Sequence, residues 1–364
     1  MGNRSYRVEE LTARGGLYFE NIQQGFSDCR FRIRKLNQEK AVEYLRILWK
    51  RNGEEDSFVD FYYGSLQEEE RRRVRAEITE EEAAYLDQID ISDAPVFLRL
   101  DEKLLEICAK LNDKEALFST FYFTRYPCTL WGNYNQEYVE FCPKKRKLGA
   151  VLFDMDGLMY DTERVVKRSW DEAGERMGCG RLGDHIFHTL GMNLKRRREY
   201  FRSVYGQEFP FEEFTEIYRA ISHRILETEG IPVKKGLYEL LDYLDQKGIL
   251  CAVATSSSSR HAFGNLEKTG LRSRFRTVIS GDEVTKSKPD PEIYEKAMAA
   301  LGVEGGETLV LEDSRNGLCS ALAAGALPIM IPDLLRDLPD VEPFLEGKLQ
   351  DLEAVIEYLD ENFG

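Results

Sequence analysis

No stretch of this chain approaches the roughly 18 consecutive apolar residues that a membrane-crossing helix requires, so no membrane partner is expected. The N-terminal MGNRSYRVEE lacks an apolar signal core, and Gly2 followed by Ser5 fits a lipidation pattern badly. Cysteine is sparse: seven residues, odd in number, scattered and never spaced CxxC. That argues against a zinc ribbon or disulfide framework and fits a reducing, cytoplasmic setting in which the thiols are small buried apolar groups. Histidine is scarcer still, with four residues. His185 and His188 lie one helical turn apart, but no third ligand is near them, so a histidine-based metal centre is not expected. Positive charge is in deficit, 50 Lys and Arg against 65 Asp and Glu. The resulting net charge of −15 argues against a nucleic-acid partner, because a phosphate backbone demands a basic face.

What is present is a soluble, two-domain composition. The 364 residues exceed what one ordinary core accommodates, and 42% apolar with 32% charged residues favours folded structure over disorder. The sharpest boundary is Pro143 followed by Lys144-Lys145-Arg146-Lys147, which reads as a solvated basic linker over 144–147. Residues 1–143 read as a small α+β domain that binds a protein partner or mediates self-association, with no motif that carries a mechanism. Strands are predicted at 31–36, 58–63, 116–122 and 138–141, and helices at 39–51, 67–89 and 98–111. The aromatics Phe118, Phe121, Tyr122, Phe123, Tyr126, Trp131, Tyr134 and Tyr138 are expected to pack a core, an exposed recognition surface being the alternative.

After the linker the texture changes. Short apolar runs at 148–153, 249–254, 277–280, 308–311 and 327–331 alternate with helical segments at 236–246, 258–269, 291–301 and 317–324. Apolar strands separated by helices imply a parallel sheet covered on both faces, hence an α/β, Rossmann-like doubly wound domain over 148–364. About 95 residues separate the first two strands, far more than one crossover requires. Helices are predicted there at 162–177, 197–205 and 212–228, forming an inserted α-helical cap over about 162–232.

Chemistry-bearing residues gather where these strands end. The first runs into Asp154-Met155-Asp156-Gly157. In an extended chain residues i and i+2 share a face, and two carboxylates together call for a cation or a shared proton. Hard oxygen ligands suit Mg²⁺. The second strand ends in Thr255-Ser256-Ser257-Ser258-Ser259, hydroxyls and N–H groups that suit a phosphate. The third leads to Lys286-Ser287-Lys288-Pro289-Asp290-Pro291, where a lysine supplies a point charge. The fourth ends in Glu312-Asp313-Ser314, a second acidic pair.

In order and spacing these four clusters resemble the motifs of the haloacid dehalogenase superfamily, over about 147–364. The cap insertion and Asp161-Thr162-Glu163 are similar to its helical-cap branch, which contains β-phosphoglucomutase and many sugar-phosphate and nucleotide phosphatases. The resemblance implies a Mg²⁺-dependent phosphatase acting on a small phosphorylated metabolite through an aspartyl-phosphate. Asp154 would be the nucleophile and Asp156 the general acid/base. Thr255 and Ser256 would hold the phosphoryl group, and Lys288 would neutralise it. The Asp154 carboxylate, the Asp156 carbonyl, Asp313 and Glu312 would form the metal site, with the direct ligand of the last two left open. Thr162 serves as a helix N-cap or a substrate contact, and Lys195 with Arg196–Arg198 as an anion contact or a solvated helix face. Gly191 is a candidate substrate-loop turn. Asp156 argues against a dehalogenase and a phosphonatase. Val166 stands where the mutases typically carry a histidine, which favours the phosphatase over the mutase. A regulatory protein with a vestigial site is the remaining alternative, against which the intact motifs speak.

Overall fold

The computed structural model describes residues 5–89, 97–189 and 194–364. The chain divides into two units, one of 1–147 with 362–364 and one of 148–361. Gly2 and Gly191 lie outside the described residues.

The first unit is built on a seven-stranded antiparallel sheet. Its spatial order is Ser5–Tyr6, Phe97–Arg99, Ser57–Asp60, Thr120–Phe123, Cys128–Gly132, Glu137–Cys142 and Arg30–Lys35. The strands at 5–6, 97–99 and 128–132 were not expected. Phe97–Arg99 is too short to show a period, and the predicted 98–111 helix begins only after Asp101, whose carboxylate caps Glu102–Asp113 through the Leu104 N–H. The predicted 67–89 helix is two helices, Glu68–Ala76 and Glu80–Leu86. Thr79 starts the second by exchanging hydrogen bonds with Glu82, a capping box within an otherwise continuous charge pattern. Of the aromatic cluster, Phe121, Tyr122, Phe123 and Tyr138 are buried in the sheet's core, whereas Tyr134 is exposed with its ring edge-on to Phe118.

Lys144, Lys145 and Lys147 are exposed, but the basic linker is not free. Arg146 pairs in parallel with Phe363 through the Arg146 N–H to Asn362 (3.0 Å) and the Gly364 N–H to Arg146 (3.1 Å). The last three residues therefore return to the first unit. All seven cysteines are free thiols. Cys128, Cys142 and Glu140 lie close together, but Glu140 already accepts from Arg34 and Tyr44, each at 2.7 Å.

In the second unit six parallel strands run in the order Thr277–Ile279, Leu250–Ala254, Ala150–Phe153, Thr308–Glu312, Leu327–Met330 and Gly347–Lys348. Apart from the ends of the sheet these strands are almost wholly buried, as continuous apolar runs demand. The chain winds outward from its first strand to one side and then crosses to the other. Such a reversal leaves a crevice at the carboxyl ends of the central strands. Register makes that crevice level: Phe153 pairs with Val253 on one side and Leu311 on the other. Asp154, Ala254 and Glu312 are thus delivered to the same edge.

The cap comprises Thr162–Arg176, the short Ile186–Thr189, Leu194–Tyr205 and Phe211–Thr228. It has its own core, centred on buried Trp170 with Phe201, Phe214 and Tyr218 around it. The two chain passages into it are tied together. The Asp161 N–H donates to Pro232 (2.9 Å) and the Lys234 N–H to Met159 (2.9 Å). Among the described residues no helix is long and apolar enough to cross a membrane.

Candidate active site

Asp154 follows the central strand directly, and its N–H still bonds to Leu311 across the sheet at 3.1 Å. Its Oδ1 accepts from Lys288 Nζ at 2.6 Å. That ammonium, with three N–H groups to share, also lies within hydrogen-bonding distance of Glu312 Oε1 (2.7 Å), Tyr294 Oη (2.9 Å) and the Ala254 carbonyl (3.0 Å). Burial pushes Lys288 down, but Asp154 and Glu312 outweigh it and hold its pKa well above the ordinary lysine value. Burial likewise pushes Asp154 up to about 7, with Lys288 opposing and Glu312 and Asp156 adding to the rise.

The acidic pair divides into two unlike members. Both oxygens of Glu312 are occupied: Oε1 by Lys288 and Tyr294, Oε2 by the N–H groups of Asp313 (3.0 Å) and Ser314 (2.9 Å) and by Ser314 Oγ (2.9 Å). Asp313 accepts no hydrogen bond among the described residues. Its carboxyl is held well above its usual range by burial and then by Glu312, Asp154, Asp333 and Glu163. Glycines make room for both. A Cβ on Gly317 would fall 1.6 Å from Glu312 Oε1, and one on Gly157, whose φ is +88°, would fall 2.2 Å from Asp313 Oδ2.

Asp156 has separate partners. Ser257 Oγ donates to Oδ2 at 2.7 Å and Thr162 Oγ1 to Oδ1 at 3.2 Å. Nε2 of His261 stands 3.8 Å from Oδ1. Burial pushes this carboxyl up, but the neighbouring His261 imidazole and the hydrogen bond from Ser257 outweigh it and hold the pKa below its usual value. The neighbouring Glu163 goes the other way. Burial pushes it up to about 7; Arg197 opposes, while Asp156, Asp333 and Asp161 add to the rise.

The comparisons with known proteins agree with this layout. The family described as haloacid dehalogenase-like hydrolases matches residues 151–331. The phosphorylated carbohydrates phosphatase of Thermotoga maritima is 30% identical over 198 residues, which cover 54% of this chain and 90% of that protein. The chain belongs to the haloacid dehalogenase-like hydrolases. Hexitol phosphatase A of Escherichia coli is 29% identical over 182 residues, 50% of this chain and 82% of that one. A solved structure described as a candidate β-phosphoglucomutase, also from Thermotoga maritima, superposes with a TM-score of 0.52 at 27% identity, over 59% of this chain and 99% of that chain. As a member of this family with phosphatases among its relatives, the enzyme hydrolyses phosphoric monoesters. The family match does not extend into the first unit.

Asp154, Asp156, Thr255, Lys288, Glu312 and Asp313 all stand at the carboxyl edge of the sheet. Thr255 is buried, its Oγ1 accepting from the Ser257 N–H (3.1 Å), and Ser256 is exposed beside it. Thr162 is not the helix N-cap: Asp161 holds that position, and the Thr162 hydroxyl points to Asp156 instead. Lys195 is exposed on its cap helix with no ionic partner among the described residues. It is Arg197, stacked on Trp170 at 5.2 Å, whose charge reaches Glu163. His185 is unsuited to a metal, both ring nitrogens being bonded to hydroxyls, Nδ1 to Tyr200 (2.8 Å) and Nε2 to Tyr205 (2.6 Å). Ser257, His261 and Tyr294 went unassigned in the sequence. Ser257 lay within a recognised cluster and was within reach; the other two are single residues on helices, with nothing local to mark them.

Proposed function

We propose that this hydrolase is a Mg²⁺-dependent phosphatase of a small phosphorylated metabolite, a phosphorylated carbohydrate before a nucleotide, working through an aspartyl-phosphate. The observation that carries the reading is the division of labour between the two aspartates. Asp154 is locked to Lys288 inside an acidic cluster, whereas Asp156 is held separately by Ser257 and Thr162. The names of the Thermotoga and Escherichia relatives support the carbohydrate class.

In the first half-reaction an Asp154 oxygen forms a bond to phosphorus as the ester P–O bond breaks, and Asp156 gives its proton to the departing oxygen. The low pKa of Asp156 means that it starts as the carboxylate. An arriving phosphate dianion disfavours that charge and raises its proton affinity, so that Asp156 takes up one proton from solvent before transferring it to the departing oxygen. In the second half Asp156 takes a proton from water as the new O–P bond forms and the Asp154–phosphorus bond breaks. Thr255, Ser256 and Lys288 are the proposed contacts of the phosphoryl oxygens.

The residues fit a divalent cation. Asp154, Glu312 and Asp313 place carboxylate oxygens within 4.8 Å of one another with one ammonium among them, so negative charge is left over. Asp313 and Asp154 would ligate directly with the Asp156 carbonyl, and Glu312, already saturated, would stand behind. When bound, Mg²⁺ offsets charge on the transferring phosphoryl group.

The mutase reading is favoured by the β-phosphoglucomutase-like structure. Against it, Val166 packs against the cap's own apolar core and offers no hydrogen bond to a sugar or to Asp156. The test is incubation with sugar phosphates, nucleotides and β-glucose 1-phosphate carrying a trace of glucose 1,6-bisphosphate, all with Mg²⁺. Inorganic phosphate is the expected product. Accumulation of glucose 6-phosphate with negligible free phosphate would replace the phosphatase with the mutase.

A further inference from the structure

The four histidines of this chain have unequal surroundings. Three lie in the cap: His185 is bonded to two tyrosines, His188 is stacked on Tyr200, and His223 faces Glu227 at 3.3 Å. The fourth, His261, belongs to the first turn of Ser259–Lys268, the helix that follows the hydroxyl loop of the core. Its Nε2 lies 3.8 Å from Asp156 Oδ1, the oxygen to which the Thr162 hydroxyl donates at 3.2 Å. The ring is half-exposed, so it stands at the rim rather than in the packing of the core.

We infer that His261 is a positioning residue for Asp156, its Nε2–H and the Ser257 hydroxyl gripping the two carboxylate oxygens from the core side so that the acid/base stays aimed at the departing oxygen. Ser257 and His261 lie four residues apart, one in the loop and one in the first turn of the helix, so a single rigid segment carries both grips. The other partner among the described residues, Thr162, begins the cap's first helix and so belongs to the cap rather than the core. A core-based grip keeps Asp156 oriented whatever the position of the cap. The buried Asn265, one turn further on, contacts Nε2 at 3.1 Å and sets the rotation of the ring. With Nε2 protonated, the amide presents its oxygen there, the two amide atoms being interchangeable in place, and the single Nε2–H is shared between that oxygen at 3.1 Å and Asp156 Oδ1 at 3.8 Å. At 3.8 Å the contact with Asp156 is longer than a hydrogen bond, as free-enzyme catalytic contacts often are before substrate tightens them.

The inference rests on the phosphatase reading and on Asp156 as its acid/base, and two aryl phosphates separate the two. Nitrophenolate departs without a proton, whereas phenolate needs one far more. His261→Ala, His261→Gln and the parent enzyme are compared on 4-nitrophenyl phosphate and phenyl phosphate with Mg²⁺. For His261→Ala the expected result is a kcat loss of about tenfold or more on phenyl phosphate and below about threefold on 4-nitrophenyl phosphate, with KM unchanged on both. His261→Gln, which keeps an N–H donor at similar reach, is expected to recover most of the phenyl phosphate loss. Equal losses on the two esters, no loss on either, or a Gln variant no better than Ala would each overturn the positioning role while leaving the phosphatase intact. A parent enzyme that hydrolyses neither ester would overturn the phosphatase reading and the inference with it. Because His261 is half-exposed, the Ala variant is expected to melt with the parent, and a matched melting curve excludes unfolding as the source of any loss.

Discussion

Replacing Gly317 by alanine tests the architecture of the acidic cluster with its sign fixed in advance. Gly317 lies in the first turn of the helix Arg315–Ala323, where helix propensity alone makes alanine more stable by up to about 1 kcal/mol. The structure demands the opposite. The new Cβ would sit 1.6 Å from Glu312 Oε1 and 1.9 Å from Cδ, whereas real Cβ atoms do not approach other atoms within 3.0 Å. Glu312 is not a flexible tip that can swing aside, because Lys288, Tyr294, two backbone N–H groups and the Ser314 hydroxyl all hold it. A retreat of about 1.4 Å breaks hydrogen bonds, and the loss of two charge-assisted ones costs about 3 kcal/mol. For a unit of this size that lowers Tm by about 6–12 °C. The displaced Glu312 no longer steadies Lys288 against Asp154, so kcat falls by about a hundredfold. In a Glu312→Ala background the obstruction is gone, and the same substitution costs less than about 1 kcal/mol. Calorimetry on the four proteins of this cycle, with turnover of an aryl phosphate, checks both. A Gly317→Ala variant that melts higher than the parent, or that loses equally in both backgrounds, refutes the reasoning.

Three further outcomes follow from the same geometry. Asp154→Asn abolishes phosphate release, because the amide does not attack phosphorus, while the melting temperature is preserved, because the amide oxygen still accepts from Lys288 and the neutral group relieves burial and repulsion from Glu312 and Asp156; steady-state turnover and calorimetry measure both. Chelation with EDTA abolishes activity, Mg²⁺ restores it and Ca²⁺ does not, since calcium takes more ligands in a looser arrangement; full activity in Ca²⁺ would contradict the site. In the first unit, burial pushes Asp60 up to about 7 against the Thr120 N–H that bonds it, so its folded pKa lies above the unfolded 3.8. The folded state therefore holds this proton more tightly, and the resulting stability is present below pH 3.8 and lost as pH rises through about 7. Asp60→Asn keeps an acceptor for Thr120 and escapes that loss, so it is more stable than the parent by up to about 4 kcal/mol at about pH 8 and equal to it at about pH 4. Urea unfolding at the two pH values measures the difference, and an equal gain at both would show that the carboxyl is not perturbed.

Much of the second unit was legible because its signals are local. A fully buried parallel strand writes itself as a short apolar run, and the reversal in strand order puts the ends of those runs at one crevice, so DMDG, ATSS, SKPDP and EDSRNG read as one site from the sequence alone. The first unit resisted for the converse reason. Its strands at 5–6 and 97–99 are two and three residues long, and antiparallel partners far apart in sequence decide whether so short a segment is a strand. Within the site, residue types named the acids and the lysine, but only packing separated Glu312 from Asp313. One is saturated by Lys288, Tyr294 and the following N–H groups, and the carboxylate of the other accepts no hydrogen bond among the described residues. Packing also turned Thr162 from a helix cap into a partner of Asp156 and brought His261 to the same carboxylate. Sequence determined which groups could do chemistry, because ionisable side chains at strand ends are a local fact. Tertiary structure decided which oxygen faces which proton, because hydrogen bonding discriminates over tenths of an ångström between residues more than a hundred positions apart.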